Sequence, residues 1–527
     1  MKRLLFLLLL AGWAGTRAGA AEWQWRVATH GIVSAETGHE PDAYLWIPST
    51  CERVRAVIIG QHNMSEETLF ENPLFRQWME ELDFAIVWIT PILDMPWDVS
   101  TGCNETLFRA LAELAAASGY EEIATAPVIP IGHSALATFP WNFAAWNPER
   151  TLAVVSLHGD APRTNLTGYG RANLEWGRTR NIDGIPGLMI EGEYEWWEDR
   201  VLPALAFRMM YPASCISFLG DAGRGHFDVG DETAEYIARF LAKAAEQRLG
   251  TPLRAVNPDD GWLAEHWYPE QKRRSEAAPA AQYSGNRHEA FWYFDREIAC
   301  MTEACYAATR RKQPLFIGYE YEGAPIPYDE QLHARMRCTL HPEADGRTFR
   351  LRAFFSDSLR QHPAAERPAG EPEIRRISGP VEVVDDTTLR GCFGRGTIGN
   401  PRRGREIWIA AEHPGDRYFK GAVQQLLVEL PIRNTGGRRQ SILFPSLPDI
   451  RTGEAAPALQ ARSDCGLPVA YFVKEGPAEV VGGALRLTPI PPRSRYPIRV
   501  SVVAWQYGLP DSVQSAEPVE RIFYINR

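Results

Sequence analysis

Ala126-Pro127-Val128-Ile129-Pro130-Ile131-Gly132-His133-Ser134-Ala135-Leu136-Ala137-Thr138-Phe139 is the stretch on which the reading of this 527-residue chain turns. Its apolar opening, Ala126 to Ile131, predicts a buried strand. Gly132-His133-Ser134-Ala135 then breaks the run. The residues from Leu136 through Ala144-Ala145-Trp146 predict a helix that stops at Asn147-Pro148. A serine at the apex of a strand–turn–helix stands on strained backbone. Its hydroxyl is pushed off the sheet edge, and the next peptide N–H lies beside it. Acyl transfer needs a nucleophile placed in this way.

Outward from that stretch, short apolar runs alternate with helical ones between Ala43 and Gly250. Tyr44–Ile47, Val54–Ile59, Phe84–Ile89, Leu152–Leu157, Gly187–Ile190 and Cys215–Leu219 read as strands. Asn104–Ser118, with Leu107, Leu111 and Leu114 at three- and four-residue steps, and Thr233–Ala245 read as helices. Continuous apolar strands alternating with helices predict a parallel sheet covered on both faces. Ligands of such sheets sit at the carboxyl ends of the strands.

Gly132-His133-Ser134 resembles the nucleophile elbow of the α/β-hydrolase superfamily. It departs from Gly-x-Ser-x-Gly at Leu136, where the pattern has glycine. The resemblance implies a triad in the order serine, acid, histidine. Gly225-His226-Phe227, between the last strand and the closing helix, matches the histidine loop. For the acid, Gly192-Glu193-Tyr194-Glu195 offers Glu195 first and Glu193 second, and Asp160, at the tip of the preceding strand, competes. The backbone N–H of Ala135 is expected to supply one oxyanion donor, and that of Asn63 or Met64 the other. His62 and His133 read as supporting or packing residues. Trp141, Trp176, Trp196 and Trp197 crowd the same region and could stack on sugar rings or fill the core.

Lys2-Arg3, the apolar run Leu4–Leu10 and Ala18-Gly19-Ala20 predict a signal peptide over 1–20, hence export to the periplasm or beyond. No stretch is long and apolar enough to predict a membrane span. The expected divisions are a hydrolase domain over 21–250, a linker or wrapping segment over 251–290, a helix plus β-rich region over 291–454, and a β module over 455–527. Phe291–Arg311 reads as the helix. Leu315–Tyr321, His333–Leu340 and Thr348–Phe354 read as strands. In that last module Gly466-Leu467-Pro468-Val469 leads into Tyr471-Phe472-Val473, Gly476-Pro477-Ala478 precedes Val480-Val481, and Ile498–Ala504 alternates strictly, which resembles the immunoglobulin-like sandwiches appended to secreted bacterial proteins. The net charge of -10 argues against a general nucleic-acid binder. The eight scattered cysteines form no Cys-x-x-Cys, so no metal is expected, and no cofactor. These features together predict a secreted serine hydrolase acting on a polysaccharide ester or a small ester. A peptidase or dienelactone-hydrolase-like enzyme is the enzymatic alternative, and an inactive glycan- or surface-binding protein the non-enzymatic one.

Overall fold

The computed structural model describes residues 22–163, 174–195, 197–268, 271, 273–431 and 433–527. The expected signal segment and Trp196 lie outside the described residues, as does the side chain of Trp197. Eight strands build the central sheet: β1 (Trp25–Ala28), β2 (Asp42–Trp46), β3 (Ala56–Gln61), β4 (Phe84–Thr90), β5 (Val128–His133), β6 (Val154–Leu157), β7 (Pro186–Gly192) and β8 (Cys215–Asp221). Their order is β1-β2-β4-β3-β5-β6-β7-β8. From β3 to β8 every pairing is parallel, while β1 and β2 add an antiparallel edge. This is an α/β-hydrolase-like topology.

The all-apolar strands follow from burial on both faces. Ala56 and Ile58 of β3, with Ile86 and Trp88 of β4, face one core. Val57 and Ile59, with Val87 and Ile89, face the other. The period-2 alternation of the pleat sorts one hydrophobic run into two cores. Helices α1 (Ser65–Phe70) and α2 (Pro73–Leu82) cover the first face. On the second, α3 (Cys103–Ser118) packs Leu107, Leu111 and Leu114 against the sheet. Helices α4 (Phe139–Trp146), α5 (Trp197–Met210) and α6 (Asp231–Arg248) follow β5, β7 and β8.

Two local expectations change. The helix expected from Leu136 begins later. Ser134–Leu136 forms a 3₁₀ turn, and α4 starts at Phe139. The aromatic run from Phe291 opens as a strand, Ala290–Tyr293, paired with Trp262–Glu265, and the helix α7 begins only at Arg296 and ends at Ala308. That strand lies against β8: Tyr293 Oη donates to the Phe218 carbonyl at 2.7 Å, and the Phe218 and Phe291 rings stack at 5.1 Å.

Beyond α7 the chain is β. A four-stranded sheet in the order Arg337–Thr339, Ala422–Glu429, Glu406–His413, Glu373–Ser378 anchors one core with Ile317, Tyr319, Phe355, Ile409 and Leu426. A second four-stranded sheet runs Ile450–Arg451, Val519–Asn526, Ile498–Trp505, Ala470–Glu475. Its core holds Val500, Val502, Phe523 and Ile525. All eight cysteines are free thiols. Among the described residues no helix is long and apolar enough to cross a membrane.

Candidate active site

Four strand ends build the site. The end of β5 delivers Ser134 with φ +55°, a left-handed conformation rare for a residue with a Cβ. Gly132 makes that turn possible, because a Cβ there would lie 2.1 Å from the Leu136 carbonyl oxygen. The same contact explains how the chain accommodates Leu136. The 3₁₀ turn folds the Leu136 carbonyl over Gly132 and buries the leucine side chain completely. Gly159 serves the turn from β6, since its Cβ would overlap that of Ala137 at 1.9 Å.

Ser134 Oγ lies 2.7 Å from His226 Nε2. His226 sits in the loop between β8 and α6 and is 7 % exposed. Its Nδ1 lies 2.5 Å from Glu195 Oε2. Glu195 stands in the turn after β7, where its Oε1 accepts the Gly192 N–H at 2.5 Å and its Oε2 accepts Arg200 Nη1 at 3.2 Å. Burial alone would raise the Glu195 carboxyl, but the His158 and His226 rings hold it well below the ordinary range. Burial lowers His226 against the opposing pull of Glu195, so the imidazole rests neutral and able to accept a proton.

The competing acids have other partners. Glu193 pairs with Lys420 Nζ at 2.9 Å and accepts the Gly223 N–H at 2.8 Å. Asp160 takes Arg200 Nε at 3.3 Å. Glu195 is the carboxylate whose Oε2 meets His226 Nδ1.

The expected oxyanion donors divide. Ala135 follows the serine at the half-buried mouth. The Asn63 and Met64 N–H groups instead donate to Glu66 Oε2, at 3.3 and 3.0 Å. Glu66 Oε1 accepts the His133 N–H at 2.8 Å, so this carboxylate ties the loop after β3 to the elbow strand. Burial raises it to about 7. Asn63 Nδ2 adds a bond to the His133 carbonyl at 2.8 Å.

Of the four tryptophans, Trp141 and Trp176 take the core alternative and not the substrate-binding one. Trp141 is 1 % exposed, and its ring fills the space that a Cβ on Gly187 would take. Trp176 is fully buried and donates Nε1–H to Asn142 at 2.8 Å. Neither presents a face to a ligand. His133 Nε2 donates to the His226 carbonyl at 2.8 Å, and His62 Nδ1 meets Thr90 Oγ1 at 2.7 Å, so both support neighbouring backbone or side chains.

Sequence reasoning missed three contributors. His158, at the end of β6, contacts Glu195 Oε1 through Nδ1. Arg200 of α5 bridges Glu191, Glu195 and Asp160. His333, from the β-rich region, places its ring 5.4 Å from that of His226, and burial first, then His226, pushes it down to about 4. The strand-end position of His158 was the only signal available, while Arg200 and His333 reach the site through long-range packing. Donor atoms of His158, Glu195 and His226 lie within 4.8 Å of one another, close enough to share a cation, but each already faces a hydrogen-bond partner.

The sheet has an α/β-hydrolase-like topology, with a serine, a carboxylate and a histidine in that chain order at its strand ends. No family model matches the chain, and no curated protein matches it. Solved structures similar to it include a fluorophosphonate-binding serine hydrolase of Staphylococcus aureus, at 10 % identity and a TM-score of 0.29, covering 42 % of this chain and 97 % of that one. Est1E from Butyrivibrio proteoclasticus is 16 % identical with a TM-score of 0.28, over 44 % of this chain and 100 % of its own. A poly(3-hydroxybutyrate) depolymerase from Bordetella parapertussis is 14 % identical with a TM-score of 0.29, over 40 % and 90 %.

Proposed function

We propose that this chain is a serine hydrolase of carboxylic esters, with Ser134 as nucleophile, His226 as general base and acid, and Glu195 as the acid that orients it. The observation that carries the reading is the continuous hydrogen-bonded line from Ser134 Oγ through His226 to Glu195. In the forward step Ser134 Oγ attacks the ester carbonyl and its proton passes to His226 Nε2. Glu195 accepts the Nδ1–H, fixes the tautomer and stabilises the imidazolium. The tetrahedral oxyanion takes the Ala135 N–H. His226 then returns the proton to the leaving alcohol, and water repeats the sequence on the acyl-enzyme.

The substrate we propose is an acetyl or feruloyl ester of a polysaccharide, or a small ester. The immunoglobulin-like reading of residues 455–527 belongs to the same proposal, as an appended module away from the chemistry. The test compares wild type with Ser134→Ala on 4-nitrophenyl acetate, acetylated xylan and a feruloyl ester, together with labelling by a fluorophosphonate. Wild type is expected to be labelled and to turn over at least one ester, and the variant to do neither. Equal rates in the two proteins remove Ser134 from the mechanism. Saturable glycan binding without turnover in either favours the binding-protein alternative.

A further inference from the structure

His158 is fully buried at the end of β6 and has no part in the three-residue line. Its Nδ1 faces Glu195 Oε1, and its Nε2 lies 3.0 Å from the Asp228 carbonyl oxygen. A backbone carbonyl can only accept a hydrogen bond, and so can an ionised carboxylate. Two acceptors on two ring nitrogens require two N–H groups. The ring therefore carries a proton on each nitrogen and a positive charge.

On the reading of Ser134, His226 and Glu195 given above, we propose that His158 is a positioning residue: a buried imidazolium that holds the far oxygen of Glu195 and, by its charge, weakens the hold of Glu195 on the catalytic imidazolium. Glu195 is thus shared between two histidines, His158 on Oε1 and His226 on Oε2. Their rings are 5.9 Å apart, so a proton arriving on His226 meets a like charge.

The surroundings favour this charge. Burial opposes it, but Glu195, Glu191 on β7 and Asp221 on β8 outweigh burial and raise His158 above the ordinary histidine range. Facing groups of the other kind are Arg200, which binds Glu195 and Glu191, and the neutral His133 ring 5.5 Å away. The backbone is also committed, since His158 adopts φ +52°, a left-handed conformation imposed at the same sheet edge as that of Ser134.

His158→Asn separates charge from position. Asparagine tolerates the left-handed region better than most residues, and its amide can donate where Nδ1 does, without the charge. Removing the neighbouring cation makes His226 easier to protonate. The acid limb of kcat/KM, which reports the free enzyme's base, is expected to move up by about one pH unit, with the plateau rate within about tenfold of wild type. His158→Ala, which lacks the donor, is expected to lose about 10² in kcat. A purely structural role would lower both variants without moving the acid limb upward. An acid limb that stays in place in folded His158→Asn overturns the proposal, as does equal loss in both variants. A measurement on the unaltered protein guards against misfolding: ¹⁵N-histidine spectra at pH 8 are expected to show one ring of the twelve histidines doubly protonated. Twelve neutral rings overturn the proposal. If wild type hydrolyses no ester, the proposed function fails and the positioning role with it, while the spectra still decide whether His158 is a cation.

Discussion

Replacing Glu195 with glutamine is the sharpest test of the acid. The side chain keeps its length but exchanges one acceptor oxygen for an amide NH₂. Oε1 faces the Gly192 N–H and His158, and Oε2 faces the His226 and Arg200 N–H groups, so the NH₂ must point at donors whichever way it turns. With NH₂ toward His226, Nδ1 must become the acceptor, and Nε2 then carries a proton that blocks transfer from Ser134. Acid-to-amide replacements that force this tautomer cost about 10⁴ in kcat, or about 5.5 kcal/mol. The variant also leaves the Arg200 and His158 charges with one fewer carboxylate, which predicts a loss of stability of about 3 kcal/mol or more. The assay is kcat and KM on 4-nitrophenyl acetate, with urea unfolding on the same preparation. Asp160→Asn and Glu193→Gln serve as comparators, since Asp160 serves Arg200 and Glu193 serves Lys420. Both are expected to keep kcat within about tenfold of wild type, because the line from Ser134 through His226 to Glu195 stays intact, while both lose stability, because each breaks a buried ion pair. A Glu195→Gln rate within tenfold of wild type, or an equal loss in Asp160→Asn, refutes the assignment.

Two further outcomes follow from the same strand ends. Gly132→Ala places a methyl group 2.1 Å from the Leu136 carbonyl, where only backbone can yield, so it is expected to cost about 1–3 kcal/mol; an unchanged urea midpoint would show that the elbow is looser than its packing implies. Glu66 gives a pH signature. Burial keeps its folded-state carboxyl protonated to about 7, above its ordinary 4.5. Between those values the folded chain binds the extra proton, so stability falls as pH rises through that window. The full swing is about 3 kcal/mol at ~1.4 kcal/mol per pH unit. Glu66→Gln is expected to flatten that part of the stability–pH curve, and parallel curves for the two proteins would contradict it.

The parts legible in the sequence were those fixed by local pattern. Runs such as Phe84–Ile89 and Gly187–Ile190 can be buried on both faces only in a covered parallel sheet, and the structure builds them into β4 and β7. The spacing of Leu107, Leu111 and Leu114 marked α3 to within a residue. Ser134, His226 and Glu195 each follow a strand, and strand ends can be counted. Partners set by packing were less accessible. Glu66 lies two residues beyond the expected oxyanion loop, and nothing in the local pattern says that it caps three N–H groups from two segments. Trp141 and Trp176 look alike as rim or core residues until Gly187 and Asn142 are seen to receive them. Phe291-Trp292-Tyr293 has no period of its own that separates strand from helix. Its pairing with Trp262–Glu265 and its place against β8 decide the matter.

The contacts of the β-rich region explain why the hydrolase-like sheet cannot be treated as a self-contained module. Charges on the strand-end side of the sheet find their partners beyond residue 374. Glu67 pairs with Arg376 at 2.9 Å, Glu71 with Arg395 at 3.1 Å, Glu193 with Lys420, and buried Asp228 with Arg375. Arg403 reaches furthest. It donates to the Asn63 carbonyl at 2.5 Å and the His62 carbonyl at 3.3 Å while Glu36 holds its Nε at 2.8 Å. Those carbonyls belong to the loop whose N–H groups bind Glu66, so both edges of that loop are fixed by buried side chains, one from each region. Met64, Phe227, Ile377 and Trp408 close the seam with apolar contact, beside the ring of His333. A carboxylate as buried as Asp228, held by Arg375 and by Arg224 at 3.3 Å, costs several kcal/mol when left without its cations. The β-rich region is therefore part of the architecture that holds the loop after β3 and the His226 loop in register.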